Sequence, residues 1–127
     1  MTPYQNFWGD KTIGENCKFG AFIDIGSADF GDNCKVQAGC IIPPGWHFGN
    51  NVFIGQGVVF INDKNPQATG NWRMLEGFVE DGVSIGSNST IFPVRIGRGA
   101  IIGAGSVVLE NIPAGETWFG NPAKKYG

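Results

Sequence analysis

Ile85-Gly86-Ser87-Asn88-Ser89-Thr90 returns in outline as Ile96-Gly97-Arg98-Gly99-Ala100-Ile101 and at once again as Ile102-Gly103-Ala104-Gly105-Ser106-Val107. Stepping outward by six shows how far the period runs. From Phe7 the steps meet Ile13, Phe19 and Ile25; one step of five leads to Phe30, and Val36, Ile42, Phe48, Ile54 and Phe60 follow. After an interruption the pattern resumes at Val79, Ile85 and Ile91, and another step of five leads to Ile96, Ile102 and Val108. All sixteen positions are Ile, Val or Phe, and nine are followed by Gly. A period of six fits neither a helix of 3.6 residues per turn nor a hairpin array with turns every 8–12 residues. It fits a short strand plus a tight corner. Three such units close a triangular coil of about 18 residues, and stacked coils bury the repeated residues as ladders inside a parallel β-helix. Ile13 to Asn111 makes five coils, one carrying an insertion.

Composition agrees. The 127 residues are one domain's worth of chain, 1–127, and include 21 glycines and 7 prolines. The longest stretch free of both is Val58 to Asn65, too short for an ordinary helix interior. No apolar run approaches the roughly 20 residues of a membrane helix, and Met1 to Asp10 lacks the pattern of a signal peptide. The expectation is a soluble, cytoplasmic, all-β protein. A net charge of −2 gives no reason to bind nucleic acid or an acidic membrane. The charge is unevenly spread, however, and residues 94–127 hold Arg95, Arg98, Lys124 and Lys125 against Glu110 and Glu116. These four basic side chains either mark the place where an anion binds or simply solvate a small surface.

Three cysteines at 17, 34 and 40 each fall four residues after a ladder position, in the slot that also holds Val52, Val58, Val83, Ser89, Ala100 and Ser106. They read as small structural residues. From Phe60 to Val79 the chain takes 19 residues where six are expected, which makes a loop over about 61–78. A long loop in so regular a solenoid points to function, as a lid or a packing arm. Coil arithmetic puts Pro44 beneath Asn62, Gly45 beneath Asp63 and His47 beneath Asn65, so the only histidine stands where the loop departs. It reads either as a general base with a suitable pKa or as a surface histidine beside Trp46.

The repeats at 85–90 and 102–107, with the tail Gly120-Asn121-Pro122-Ala123-Lys124, resemble the hexapeptide-repeat acyltransferases. The resemblance implies a single-stranded left-handed β-helix with a short C-terminal tail, a homotrimer, and acetyl-coenzyme A as donor. It also implies that the loop reaches a neighbouring subunit. Hexapeptide β-helices include zinc enzymes that use three imidazoles per metal, and with His47 alone the expectation here is no metal.

Two subclasses compete. O-acetyltransferases of sugars and antibiotics carry a His-Pro pair in this loop, where this chain has Asn65-Pro66. Phe60-Ile61-Asn62-Asp63-Lys64 with Pro66 is instead similar to the F-x-N-D-x-x-P stretch of N-acetyltransferases acting on nucleotide-linked amino sugars. The resemblance assigns Asn62 to the acceptor amine and Asp63 to the sugar; His47 enters only through its own chemistry, as a proton shuttle. The subclass's Arg after the proline is Gln67 here. For the donor, the resemblance implies pantetheine contacts from backbone groups near Ser84, Ala104 and Gly105 and phosphate contacts at Arg98 and Lys124; the thioester oxyanion calls for a backbone N–H near Ser84 or Gly105. Two other readings stay open: an O-acetyltransferase with His47 as base, and a non-catalytic scaffold.

Overall fold

The computed structural model describes residues 4–127, and the described chain is a stack of short strands with no helix. Three parallel sheets form the faces of a prism. The first face holds Gln5–Phe7, Ile23–Ile25, Ile41–Ile42, Val59–Phe60, Thr90–Ile91 and Val107–Val108. The second holds Thr12–Ile13, Ala28–Phe30, Trp46–Phe48, Gly77–Val79 and Arg95–Ile96. The third runs from Lys18–Phe19 through Lys35–Val36, Phe53–Ile54, Ser84–Ile85 and Ile101–Ile102 to the C-terminal hairpin Thr117–Gly120 and Ala123–Lys125. Consecutive strands therefore visit the faces in turn, and the chain completes the five coils that the period predicts.

The ladder positions point inward as expected. Ile25, Ile42, Ile54, Ile85, Ile91, Ile96 and Val108 are fully buried, and Phe30 stacks on Phe48 with centroids 4.7 Å apart. The first coil differs. Ile13 is 40% exposed, and Phe7 and Phe19 are only partly buried, because among the described residues no coil lies beneath them to cover the ladder. At the other end the hairpin buries Trp118 and Ala123.

The corner between the second and third faces explains why Gly follows the ladder residue there. Asp32 Oδ1 accepts the Glu15 N–H at 2.8 Å, Asn50 Oδ1 the Asp32 N–H at 2.7 Å, and Asp81 Oδ1 the Asn50 N–H at 2.8 Å. Each side chain reaches down to the coil below and occupies the space that a Cβ at Gly14, Gly31 or Gly49 would fill. The glycines are required by close approach.

The cysteines occupy the small buried slot as predicted. Cys34 Sγ donates to Gly49 O at 3.1 Å and Cys40 Sγ to Gly55 O at 3.0 Å, as Ser89 Oγ does to Gly86 O at 2.9 Å. All three cysteines are free. Desolvation by burial pushes the Cys34 thiol up to about 11 and raises Cys40 as well, so both stay protonated donors.

Candidate functional site

The loop leaves from the corner between the first and second faces. Two pairs fix its neck: Asn62 Nδ2 donates to Pro44 O at 3.0 Å, and Leu75 N donates to Asn62 O at 2.7 Å. Residues 63–75 are thus an insertion closed at its base. The β-structure resumes at Gly77, so the loop ends two residues earlier than the expected boundary at 78.

Trp46 prepares this corner from below. Its fully buried indole donates Nε1–H to Ile61 O at 3.1 Å and lies where a Cβ on Gly77 would stand, so only glycine can return the chain to the stack there. Gly45, at φ +103°, does the same for the loop's last residues: a Cβ on it would press Leu75 O and Met74 Sδ, each at 3.3 Å.

Asp63, the first inserted residue, accepts the Trp72 indole N–H at 2.6 Å. The bond ties the outgoing strand of the loop to its returning one. Trp72 N also donates to Gly70 O at 3.0 Å, which folds the loop's tip back on itself. Asn62 and Asp63 therefore stand side by side on an ordered platform, and no partner of Asn62 Oδ1 is found among the described residues.

His47 lies elsewhere than coil arithmetic puts it. It pairs in register with Asp29 below and Phe78 above, not with Asn65, because the insertion lengthens that one coil before the second face begins. Its Nδ1 is 2.8 Å from Asp29 Oδ2 and its Nε2 is 2.9 Å from Glu76 Oε1, and its ring stacks on Phe78 at 5.0 Å. Arg95 covers the opposite end of this row, 4.5 Å from the Phe78 centroid, and pairs with Glu80 at 3.0 Å. Burial lowers the imidazole's pKa, but hydrogen bonds from Glu76 and Asp29, with their charges, outweigh it and raise the pKa above 6.5. With a carboxylate on each nitrogen, the ring is an imidazolium clasp across the loop's return.

The expected donor residues distribute over several edges. Ser84 is central on the third face, Ala104 and Gly105 form the corner between the third and first faces, and Lys124 is exposed on the C-terminal hairpin opposite Phe119. Arg98 stands on the corner between the second and third faces, away from the edge that Ala104 and Gly105 occupy. Near Ser84 and Gly105, where an oxyanion donor is expected, those two residues' own N–H groups are in use: the Ser84 N–H goes to Ala100 O at 3.1 Å and the Gly105 N–H to Ser87 O at 2.8 Å. Both are spent on bonds between coils. The Ala104 N–H has no such partner among the described residues.

Sequence reasoning missed Trp72, Asp29 and Glu76. One coil subtracted from 47 gives 29, so Asp29 was within reach of the same arithmetic. Glu76 and Trp72 were not, since a loop's return path carries no period.

A family model described as the hexapeptide repeat of succinyl-transferase matches residues 12–44 and 78–110, just over half of the chain. The bifunctional protein GlmU of Thermotoga maritima is 36% identical over 116 residues, covering 87% of this chain and 24% of that protein. The chain thus spans about a quarter of that relative's length. Among solved structures, a galactoside acetyltransferase in complex with coenzyme A superposes with a TM-score of 0.75 at 26% identity, over 91% of this chain and 64% of that one. AntD of Bacillus cereus, an N-acyltransferase solved with dTDP-4-amino-4,6-dideoxyglucose and coenzyme A, has the same fold. Its TM-score is 0.64 at 19% identity, over 98% of this chain and 77% of that one.

Proposed function

This chain belongs to the hexapeptide-repeat family, and on that premise we propose that it is an acetyltransferase that moves the acetyl group of acetyl-coenzyme A to an amine of a nucleotide-linked amino sugar. The observation that carries the reading is Asn62 and Asp63 side by side at the closed neck of the loop, both polar side chains held by neighbours and turned to no structural bond with each other. The coenzyme A bound by the galactoside acetyltransferase and by AntD supports the donor, and AntD's amino-sugar ligand supports the acceptor.

In this reading Asn62 orients the acceptor amine and Asp63 the sugar. The unprotonated amine attacks the thioester carbonyl; the C–N bond forms, the C–S bond breaks, and the proton lost by nitrogen ends on the thiol. An amine needs little help from a base, so most of the acceleration comes from positioning. His47, with both nitrogens on carboxylates, serves the site by holding the loop. Ala104 and Gly105 offer the pantetheine arm a path along the corner between the third and first faces, and Ser84 a contact on the third face. Lys124 meets the donor's phosphates. Arg98 joins it only across a subunit boundary.

The working form is a homotrimer in this reading, with donor and acceptor groups of neighbouring chains facing one groove. It is supported by the outward row of the first face, where Ile41, Val59, Thr90 and Val107 run in register as a β-branched stripe, exposed at Ile41 and half-buried at the other three in one chain.

The test is release of free thiol from acetyl-coenzyme A in the presence of nucleotide-linked amino sugars and their hydroxyl counterparts, with calorimetry of the donor alone and of the Lys124→Ala variant. Binding of about one donor per chain, weaker in the variant, together with thiol release for amines only, is the expected result. No donor binding by a folded protein at millimolar concentration contradicts it.

A further inference from the structure

The acceptor loop encloses a hollow of its own, about 210 Å³, lined by Lys64, Asn65, Gln67, Asn71, Arg73 and Leu75. Its volume lies below the roughly 300–1,000 Å³ of sites that enclose a whole ligand, so it suits one part of a larger molecule. Its chemistry is one-sided. Two cations and three amides face it, and no carboxylate does.

The reason lies in where the loop's acids go. Asp63 accepts from the Trp72 indole, and Glu76 is held by His47. The acids of the neck are thereby turned away to other partners, whereas Lys64 and Arg73 make no ion pair or hydrogen bond among the described residues. In a chain with an overall charge of −2, two unpaired cations converging with amide groups form a local positive field. A guanidinium and an ammonium around one small hollow match the charge and the multiple acceptor oxygens of a phosphate ester. Beside them Trp72 is 47% exposed with its N–H pinned to Asp63, which leaves an indole face open for a planar ring to stack on.

We propose that this hollow binds the phosphate groups of the nucleotide-linked acceptor, with Lys64 and Arg73 as the charged contacts. The inference rests on the acceptor reading given above and adds to it the residues that select a phosphorylated sugar over a free one. The phosphates of coenzyme A share the same chemistry, and the experiment separates the two sources.

Inorganic pyrophosphate, uridine diphosphate and coenzyme A are titrated separately into the wild-type chain, a Lys64→Ala/Arg73→Ala double variant and a charge-conserving Lys64→Arg/Arg73→Lys variant. Circular dichroism and gel filtration check the fold, which these exposed substitutions leave intact. The expected result is that pyrophosphate and uridine diphosphate bind the wild type, weaken by about tenfold or more in the double variant, and recover in the charge-conserving one. Coenzyme A affinity stays the same throughout. Equal affinity of the diphosphates for wild type and double variant, or no binding at millimolar concentration, overturns the proposal; coenzyme A binding by the wild type in that experiment would leave the transferase reading standing. A parallel loss of coenzyme A affinity in the double variant overturns the assignment to the acceptor and gives the hollow to the donor. Diphosphate binding that depends on both cations in a chain that ignores coenzyme A sinks the transferase reading and keeps the phosphate site.

Discussion

Two corners of the same prism use acidic and amide side chains in opposite ways. Between the second and third faces, Asp32, Asn50 and Asp81 each spend an oxygen on a backbone N–H of the coil below, and the corner repeats almost without variation. Between the first and second faces, Asn62 anchors a thirteen-residue insertion, Asp63 holds an indole and Glu76 holds an imidazole. The first corner satisfies the backbone; the second positions side chains. The difference teaches that in a solenoid the period itself is the structural part, and departures from it are where chemistry is free to gather.

The sharpest way to break that comparison is to damage the repetitive corner. In Gly31→Ala the new Cβ would lie 2.7 Å from the backbone of Gly49 and collide with the Asn50 side chain. Two coils would have to separate, so the variant should lose about 3 kcal/mol of stability in urea denaturation while its folded fraction turns over normally.

Asn62→Ala reverses the pattern. Pro44 O loses one donor, worth about 1 kcal/mol, whereas kcat/KM for the amine should fall about a hundredfold because the acceptor is no longer held. Trp72→Phe is milder. It keeps an aromatic ring but frees Asp63, and the KM of the acceptor should rise by a factor of about five with kcat little changed, as suits the loss of one hydrogen bond worth about 1 kcal/mol.

His47 gives the smallest effect and a pH signature. Its folded pKa is raised above 6.5, so the clasp is fully made below that value and is lost as pH climbs through the raised one. Proteolysis within 63–75 should therefore quicken in the wild type as pH rises through the raised pKa. In His47→Gln it should be insensitive to pH. Turnover by His47→Ala should slow only a few-fold; complete loss would favour the hydroxyl-acceptor reading, in which this imidazole is the base.

The five coils, the inward ladder and the small cysteine slot were legible because a solenoid repeats one set of contacts, and sixteen positions report the same environment. The exposed Ile13 shows the limit of that logic: the period marks which side chains point inward, and burial also needs something to cover the end of the stack, as happens for Val108 at the end that carries the C-terminal hairpin and not for Ile13. The thirteen extra residues could be counted, and with them the identity of the corner. What lies above His47 could not, since the count does not say where the chain re-enters the stack, and the answer is Phe78. The free N–H of Ala104 was likewise hidden, because only the bonds between coils reveal which amides are already used.

If the coils carry the fold and the insertion carries the acceptor, excising the insertion separates the two. Pro44 lies under Asn62 through a hydrogen bond and Trp46 pairs with Gly77, so joining Asn62 to Glu76 restores one regular coil with His47 and Glu76 in place. The shortened chain should melt within a few degrees of the parent and bind acetyl-coenzyme A equally well, yet no longer release thiol in the presence of an amino-sugar acceptor. Undiminished turnover by the shortened chain would contradict that separation, and so would failure of the coils to fold without residues 63–75.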